Sequence, residues 1–577
     1  MIAAKGPRGA PFSFKLGREP VEWIASLMLA LPWLFAMQGR LWTAAWREAA
    51  MAAALLALAA ATCGRSRIDS LPRPALFVAL LSLLPLLQWA AGLIVFRGDA
   101  WLASGYLVAF ALAIVVGGHR PGAGTLDTGK VVLRSLLIAA LVSALLMLAQ
   151  AVGLDQATGW IASPPDVARP AAHVGQPNNA ATLLVCGLAS LLGLAVPGNR
   201  ANRLAAIAAA ACLLAALAMT QSRAGLVGLL VIGVVGITRS QAFLSSRGRA
   251  ALLLTAALAW WAACWVAWLV LIPHLFATTA DVASRLTGGV RTVHWRTMWE
   301  AIAHKPWWGW GWQQVAAAQA GHAASQPASG EPLQYAHNLF LDLAVWNGLP
   351  VAVLTAGLAG LWVVRTYRTA LSNVPVSLLL CVLAMAVHAM FELPHGYLLF
   401  LVPLGLAVGA LSRPFVIGMK AGVLAWALAL VLGTGLFITA RDYLLLEQAW
   451  QDHRFQVAAI AGYQTLEPVP DVIVLDQLRG LVAAARIQPG VATPAEELQL
   501  LRTVAERYPS WGNVLRYALS RMAVGDQRGA EQALLWMRQT QPVEVCESAM
   551  KIWRRKTDEL ALGSAYAFPV CERDRLR

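Results

Sequence analysis

Residues 131–150 read VVLRSLLIAALVSALLMLAQ, an apolar run whose one charge is Arg134. Wound as a helix rising about 1.5 Å per residue, such a run spans roughly the 30 Å hydrocarbon core of a bilayer. Working outward, comparable runs begin near Val21, Ala49, Ala75 and Trp101 on one side. On the other they begin near Thr182, Leu204, Gly225, Ala250, Asn338, Val376, Gly396 and Ala421, the last ending near Ala440. Lipid offers no hydrogen bonds to the backbone, so these runs are read as helices. The expectation is an all-α polytopic membrane protein with about 13 transmembrane helices. Composition agrees: the 577 residues are 58% hydrophobic and 13% charged, with a mean hydropathy of +0.60. A soluble chain of this length carries far more charge.

The formal net charge of +15 would suit nucleic acid if it were clustered, but the Lys and Arg residues sit mostly in short loops between apolar runs. With residues 1–20 cytoplasmic, the loops on that side hold Arg65, Arg67, Arg73, Arg120, Lys130, Arg200, Arg203, Arg239, Arg247, Arg249, Arg365, Arg368, Arg413 and Lys420. The opposite short loops hold only Arg40, Arg47, Arg97, Arg169 and Arg223. The positive-inside rule expected of a bacterial inner-membrane protein is then satisfied, and the odd number of spans places the C-terminal tail outside. The basic N-terminus (Lys5, Arg8, Lys15, Arg18) resembles a signal peptide, but it has no convincing cleavage site and further spans follow, so the first run is read as retained.

Three units follow: residues 1–20, a membrane domain over 21–440, and an external tail over 441–577. Two external segments, from about 155 to 181 and from about 276 to 337, are longer than a connection requires, which marks them as functional. In the tail, Glu496–Arg507, Trp511–Val524 and Gln527–Arg538 show helical spacing, the last two as a hairpin of tetratricopeptide type around Gly525-Asp526. Cys63, Cys186, Cys212, Cys264 and Cys381 lie in or beside apolar runs as packing residues, whereas Cys546 and Cys571 are the candidates for a disulfide.

Five polar segments fall on the external face under a topology fixed by charge alone: Ala168–Asn179, Thr220–Gly225, Arg291–Trp312, Tyr335–Asn338 and Phe391–Tyr397. They contain no HExxH, no Gly-rich nucleotide loop and no clustered Cys/His spacing, so neither a metal nor a nucleotide cofactor is expected. Arg223 and Arg291, with Arg169, offer guanidinium forks for a phosphate or pyrophosphate. His337 has the chemistry of a general base acting on a hydroxyl. Glu392, beside His388, is a carboxylate at a membrane boundary and needs a partner or water. Each has a plainer reading as well: an Arg at a helix end anchors, a His at a helix start caps, and Trp307, Trp308, Trp310 and Trp312 form an aromatic belt. His173, His294, His304 and His322 are read as ordinary loop residues. The combination on one face carries the functional reading.

The order Arg291–Trp295, Pro306-Trp307-Trp308-Gly309-Trp310-Gly311-Trp312 and His337-Asn338-Leu339-Phe340-Leu341-Asp342 resembles the O-antigen ligase/polymerase superfamily. Arg169-Pro170 with Gly175-Gln176-Pro177-Asn178, and Phe391-Glu392-Leu393-Pro394 with Tyr397, are similar to its bacterial protein O-oligosaccharyltransferase branch, the pilin-glycosylation type. The resemblance implies transfer of a glycan from undecaprenyl diphosphate to a hydroxyl of a periplasmic acceptor protein. It implies His337 as the catalytic residue and Arg223 and Arg291 as pyrophosphate ligands. Arg169, Gln176, Asn178, Tyr335, Asn338 and Glu392 are carried as substrate-binding candidates. Leu393 stands where the branch usually has an aromatic, a departure that bears on acceptor fit. A lipid A–core ligase or an O-antigen polymerase shares this chemistry. A lipid-linked glycan transporter would instead show ionisable residues deep in its spans and internal repeats, and the sequence has neither.

Overall fold

The computed structural model describes residues 18–63, 70–119, 126–164, 166, 168–194, 200–243, 246–276, 289–322, 325–416, 421–460, 466–490, 493–560 and 571. The expectations placed on the extreme N-terminus and on Arg65, Arg67, Arg120 and Lys420 lie outside them. The chain is an all-α polytopic membrane protein. Each of the thirteen apolar runs coincides with helix, in this order: α1 (Arg18–Ala30), α2 (Ala45–Cys63), α3 (Arg73–Leu81) continued by α4 (Leu84–Ala90), α5 (Arg97–Gly117), α6 (Thr128–Ala151), α8 (Pro177–Leu194), α9 (Arg200–Met219), α10 (Arg223–Thr238), α11 (Arg247–Phe276), α14 (Leu339–Thr369), α15 (Asn373–Ala389), α16 (Leu398–Leu411) and α17 (Ala421–Val457). Among the described residues nine of these segments are long and apolar enough to cross a membrane, while α10, α15 and α16 are shorter apolar helices. Between them lie α7 (Leu154–Thr158), α12 (Gly289–His304) and α13 (Val315–His322), so the long segment expected outside the membrane is itself partly helical. One short antiparallel ladder pairs Ser70–Pro72 with Pro414–Val416.

Small residues let the central helices approach closely, as packing within lipid requires. A methyl group at Gly405 of α16 would lie 2.7 Å from the Ala113 Cβ of α5. The same pair of helices meets again where Gly409 faces the Ile114 carbonyl. The main core runs through α2, α5, α6, α8, α15 and α16, with Trp33 edge-on to Phe400 (ring centroids 5.0 Å apart).

Helix α14 is broken near its start. Gly348 adopts φ +79° and Pro350 lacks an N–H, so the carbonyls of Val345 and Trp346 lose their helical donors. The Trp-rich segment supplies replacements. Trp310 N–H donates to the Val345 carbonyl (2.7 Å) and Gly311 N–H to the Trp346 carbonyl (3.1 Å), and Leu349 N–H donates to the Pro306 carbonyl (2.7 Å). Gln88 completes the set, donating to the Trp346 carbonyl (2.9 Å) and accepting from Trp312 N–H (2.9 Å). The belt reading of the four Trp residues therefore divides. Trp307 and Trp308 are exposed, whereas Trp312 is buried and stacks on Trp346 at 5.0 Å.

The tail continues from α17, which passes unbroken through the expected boundary at 440/441. It adds α18 (Asp476–Arg486), α19 (Ala495–Arg507), α20 (Trp511–Ala523), α21 (Gln527–Thr540) and α22 (Val543–Glu559). It docks on the start of α5. The Asp476 carboxylate accepts from Arg97 N–H (3.0 Å) and Gly98 N–H (2.7 Å), capping that helix from outside, and Arg507 forms a fork with Asp99 at 2.7 and 2.9 Å. Cys546 and Cys571 form a disulfide with Cα atoms 5.8 Å apart, while Cys186, Cys212, Cys264 and Cys381 are free.

The break at Gly348 is testable. A Cβ there would strike the Pro306–Trp307 backbone and sit at a left-handed φ. Gly348→Ala is expected to destabilise the purified protein by on the order of 2 kcal/mol, read as a lower thermal midpoint. Gly357→Ala, in the same helix with open space around it, is the control and is expected to leave the midpoint unchanged or raise it. Equal losses in both would contradict this account of the kink.

Candidate active site

The backbone at His337 is held in the left-handed region, at φ +54°, where an ordinary L residue loses on the order of 1–2 kcal/mol. Its neighbours hold it there. Asn338 caps α14, its Oδ1 accepting from Phe340 N–H (3.0 Å) and Leu341 N–H (3.2 Å), and its Nδ2 donates to the Met390 carbonyl (3.1 Å). On the other side Ala336 N–H donates to Asp342 Oδ1 (2.7 Å). The imidazole is thus presented from a fixed turn at the head of a helix, toward the loop that follows α15.

That loop carries Glu392, only 3% exposed, and four donors converge on its carboxylate. Oε1 accepts from Arg291 Nη2 (2.5 Å) and Asn178 Nδ2 (2.9 Å). Oε2 lies 3.0 Å from His337 Nδ1 and takes a longer contact from Gln176 Nε2 (3.4 Å). Arg169 stands behind Asn178, its Nη2 donating to Asn178 Oδ1 (3.3 Å) and its Nε to the Thr220 carbonyl (2.9 Å). Gln221 Nε2 returns a bond to the Ala168 carbonyl (3.0 Å). All five polar segments are therefore joined by hydrogen bonds in one constellation.

Three further sequence-derived candidates stand apart from the carboxylate. Arg223 is the first residue of α10, exposed, with no ion pair to a described residue, and it follows by three residues Thr220, whose carbonyl accepts from Arg169. Tyr335 packs its ring against Trp346 and His395 at 5.9 and 5.6 Å, so it supports the site from behind. Asn338 spends its side chain on the cap described above.

Other residues of the site were not legible as such. Arg47, expected in an external loop, is buried in the first turn of α2 and donates through Nη1 to the carbonyls of His173 and Val174, both at 2.8 Å, beneath the Gly175-Gln176 turn. Its neighbour Glu48 accepts from Leu398 N–H (2.6 Å), fixing the start of α16 just beyond the Glu392 loop. His294, read as a loop residue, lies buried on α12 one turn from Arg291, its Nε2 without a partner among the described residues. The available signal was a charged or titratable group set at the edge of an apolar run.

Electrostatics follow from this geometry. Burial pushes the Glu392 carboxyl upward, but the hydrogen bond and charge of His337, with Arg291 and His388, outweigh it and hold the group below the ordinary carboxylate range. Burial pulls His337 downward, yet the hydrogen bond and charge of Glu392, helped by Glu331 and Asp342, leave it above the usual 6.5. His294 is pushed down to about 4 by burial and by the nearby His337 and Arg291. Because a carboxylate only accepts, the neutral His337 ring carries its proton on Nδ1 and leaves Nε2 as an open base. His337 and Arg291 keep 23% and 35% of their side chains exposed over a buried Glu392. The rim of the site therefore presents a proton acceptor and a guanidinium side by side. No group of three or more His, Cys, Asp or Glu side chains suited to a metal occurs among the described residues.

Residues 208–356 match the sequence family described as O-Antigen ligase, and residues 376–549 match one described as Virulence factor membrane-bound polymerase, C-terminal. The first range holds Arg223, Arg291 and His337, and the second holds Glu392 and most of the tail. The chain is 26% identical over 333 residues to the "ComP-specific O-oligosaccharyltransferase" of Acinetobacter baylyi, covering 56% of this chain and 59% of that protein. It is 27% identical over 415 residues to the "General O-oligosaccharyltransferase" of the same organism, covering 70% of this chain and 71% of that one.

The pair has a pH signature. A raised His337 contributes stability that is fully present below the unfolded imidazole value and lost as pH rises through the folded one. The depressed Glu392 contributes stability that is lost as pH falls through its folded value. Diethyl pyrocarbonate modifies the neutral ring, so the midpoint of His337 modification, mapped by peptide mass spectrometry, is expected above 6.5. Glu392→Gln removes the partner and is expected to move that midpoint down. A midpoint that stays put would show that Glu392 does not hold His337.

Proposed function

Because this chain belongs to the O-antigen ligase superfamily, we propose that it transfers an oligosaccharide from undecaprenyl diphosphate to a Ser or Thr hydroxyl of a periplasmic protein such as a pilin. The observation that carries the reading is the single buried carboxylate that presents His337 and Arg291 together, each with an open face. His337 Nε2 takes the proton of the acceptor hydroxyl as its oxygen attacks the anomeric carbon. The bond from that carbon to the diphosphate oxygen breaks in the same step, with inversion. Glu392 stabilises the imidazolium that forms, and guanidinium groups offset the charge growing on the departing diphosphate. Arg291 serves at the rim and Arg223 at the head of α10. A diphosphate is already a good leaving group, so the proposed displacement draws on no metal ion and no cofactor.

Protein is favoured as acceptor because the Arg169–Asn178 segment, the part of the resemblance particular to the protein-glycosylating branch, is built into the constellation through Asn178 and Gln176. Both curated relatives are named O-oligosaccharyltransferases. We place the protein in the inner membrane with this site facing the periplasm. The charge bias of the loops supports that side, as does the Cys546–Cys571 disulfide, which belongs to an oxidising compartment. In this reading residues 441–577 form a periplasmic helical domain of tetratricopeptide type.

The test is glycan transfer in a cell that makes an undecaprenyl-linked oligosaccharide but lacks its own ligase, with and without a candidate pilin. The wild-type chain is expected to yield a sugar-bearing protein band. His337→Ala is expected to lower transfer by about 100-fold or more. Undiminished transfer by His337→Ala would sink the general-base assignment, and glycan found only on lipid A–core would reassign the acceptor.

A further inference from the structure

Behind the His337–Glu392 pair lies a second carboxylate–imidazole pair that the proposed chemistry does not use. Asp342, one turn into α14, is fully buried. Its Oδ1 accepts from Ala336 N–H at 2.7 Å, and its Oδ2 lies 3.1 Å from His395 Nε2. Facing an acceptor carboxylate, His395 is the donor, through Nε2. Its Nδ1 is buried and without a partner among the described residues. The His395 ring is wedged edge-on between Tyr335 (5.6 Å) and Trp346 (5.8 Å) and keeps only 11% of its side chain exposed.

What matters is where these two bonds lead. Ala336 immediately precedes His337, which sits at a strained positive φ, and His395 follows Glu392 by three residues in the same loop. One buried carboxylate thus grips both chain segments whose side chains meet at 3.0 Å in the His337–Glu392 contact. Asn338, next to His337, adds a second tie, through the Met390 carbonyl ahead of Glu392 (3.1 Å). We infer that Asp342 and His395 are positioning residues, a buried clamp that sets the distance between His337 and Glu392. The role in transfer rests on the functional reading above; the clamp itself does not. A displacement of about 1 Å in such a contact is enough to cost on the order of 100-fold in rate.

Two substitutions at His395 separate the hydrogen bond from the packing. His395→Phe keeps an aromatic ring between Tyr335 and Trp346 but removes the donor to Asp342. His395→Gln gives up the ring and places an amide N–H near the former Nε2. In full-length protein purified in detergent, His395→Phe is expected to lower kcat for transfer by about tenfold or more while leaving KM for the lipid-linked donor within about twofold. His395→Gln is expected to recover most of that loss. Amide hydrogen exchange across residues 335–338 and 392–397 is expected to rise in the Phe variant and stay near wild type in the Gln variant. A Phe variant matching wild type in rate and exchange would overturn the clamp, as would a Gln variant impaired as badly as Phe in both. Should wild-type protein transfer nothing, the functional reading fails, and the exchange difference between the two variants still decides the clamp.

Discussion

A carboxylate buried near a membrane boundary is the constraint on which the rest of this structure turns. Left without partners, the Glu392 carboxylate would destabilise the fold by several kcal/mol. Ionised, it has room for about four hydrogen bonds, and the fold supplies that many donors from segments far apart in the chain: Gln176, Asn178, Arg291 and His337. Satisfying one charge therefore requires α8, α12, α14 and the loop after α15 to arrive together. The same requirement places a base and a cation beside each other at the rim, so what stabilises the site also equips it.

The supporting layer uses one device repeatedly. Glu48, Asp99 and Asp342 each lie in the first turn of an apolar helix, where unpaired backbone N–H groups and the helix dipole favour negative charge. Each reaches out from there to a different segment. Glu48 holds Leu398 at the start of α16, Asp99 holds Arg507 of the tail, and Asp342 holds Ala336 and His395. Acidic residues at helix starts thus act as connectors between the membrane helices, the loops of the candidate site and the tail. Arg47 works in the same manner with opposite charge, gripping two carbonyls of the Gln176 loop.

Much of this architecture was legible in the sequence, for reasons that are themselves physical. Apolar length reports membrane helices directly, so all thirteen runs reappear as helix. The charge bias of the loops brought the five polar segments to one face without reference to their chemistry, and the structure joins those same segments. Less was legible where the cause lies between distant residues. Asn178 and Glu392 are separated by more than two hundred positions, so nothing local revealed that the carboxylate, carried only as a substrate-binding candidate, is the hub of the site. The Trp307–Trp312 run looked like one aromatic belt because hydropathy cannot show that Gly309 and Gly311 let the segment reach the broken start of α14. Arg47 was assigned to a loop because a charge beside an apolar run normally marks its end. Here a pair of carbonyls from another segment receives it inside the helix.

The most direct test of the central claim is the protonation state of His337 itself. With the full-length protein labelled with 15N-histidine, and a His337→Gln sample to identify the signal, NMR distinguishes which ring nitrogen carries the proton. The expected result is a neutral ring protonated at Nδ1 with Nε2 bare, forming only at a pH above the ordinary histidine value because Glu392 faces Nδ1. A ring protonated at Nε2, or one that titrates as a free histidine does, would mean that Glu392 neither orients nor charges the base.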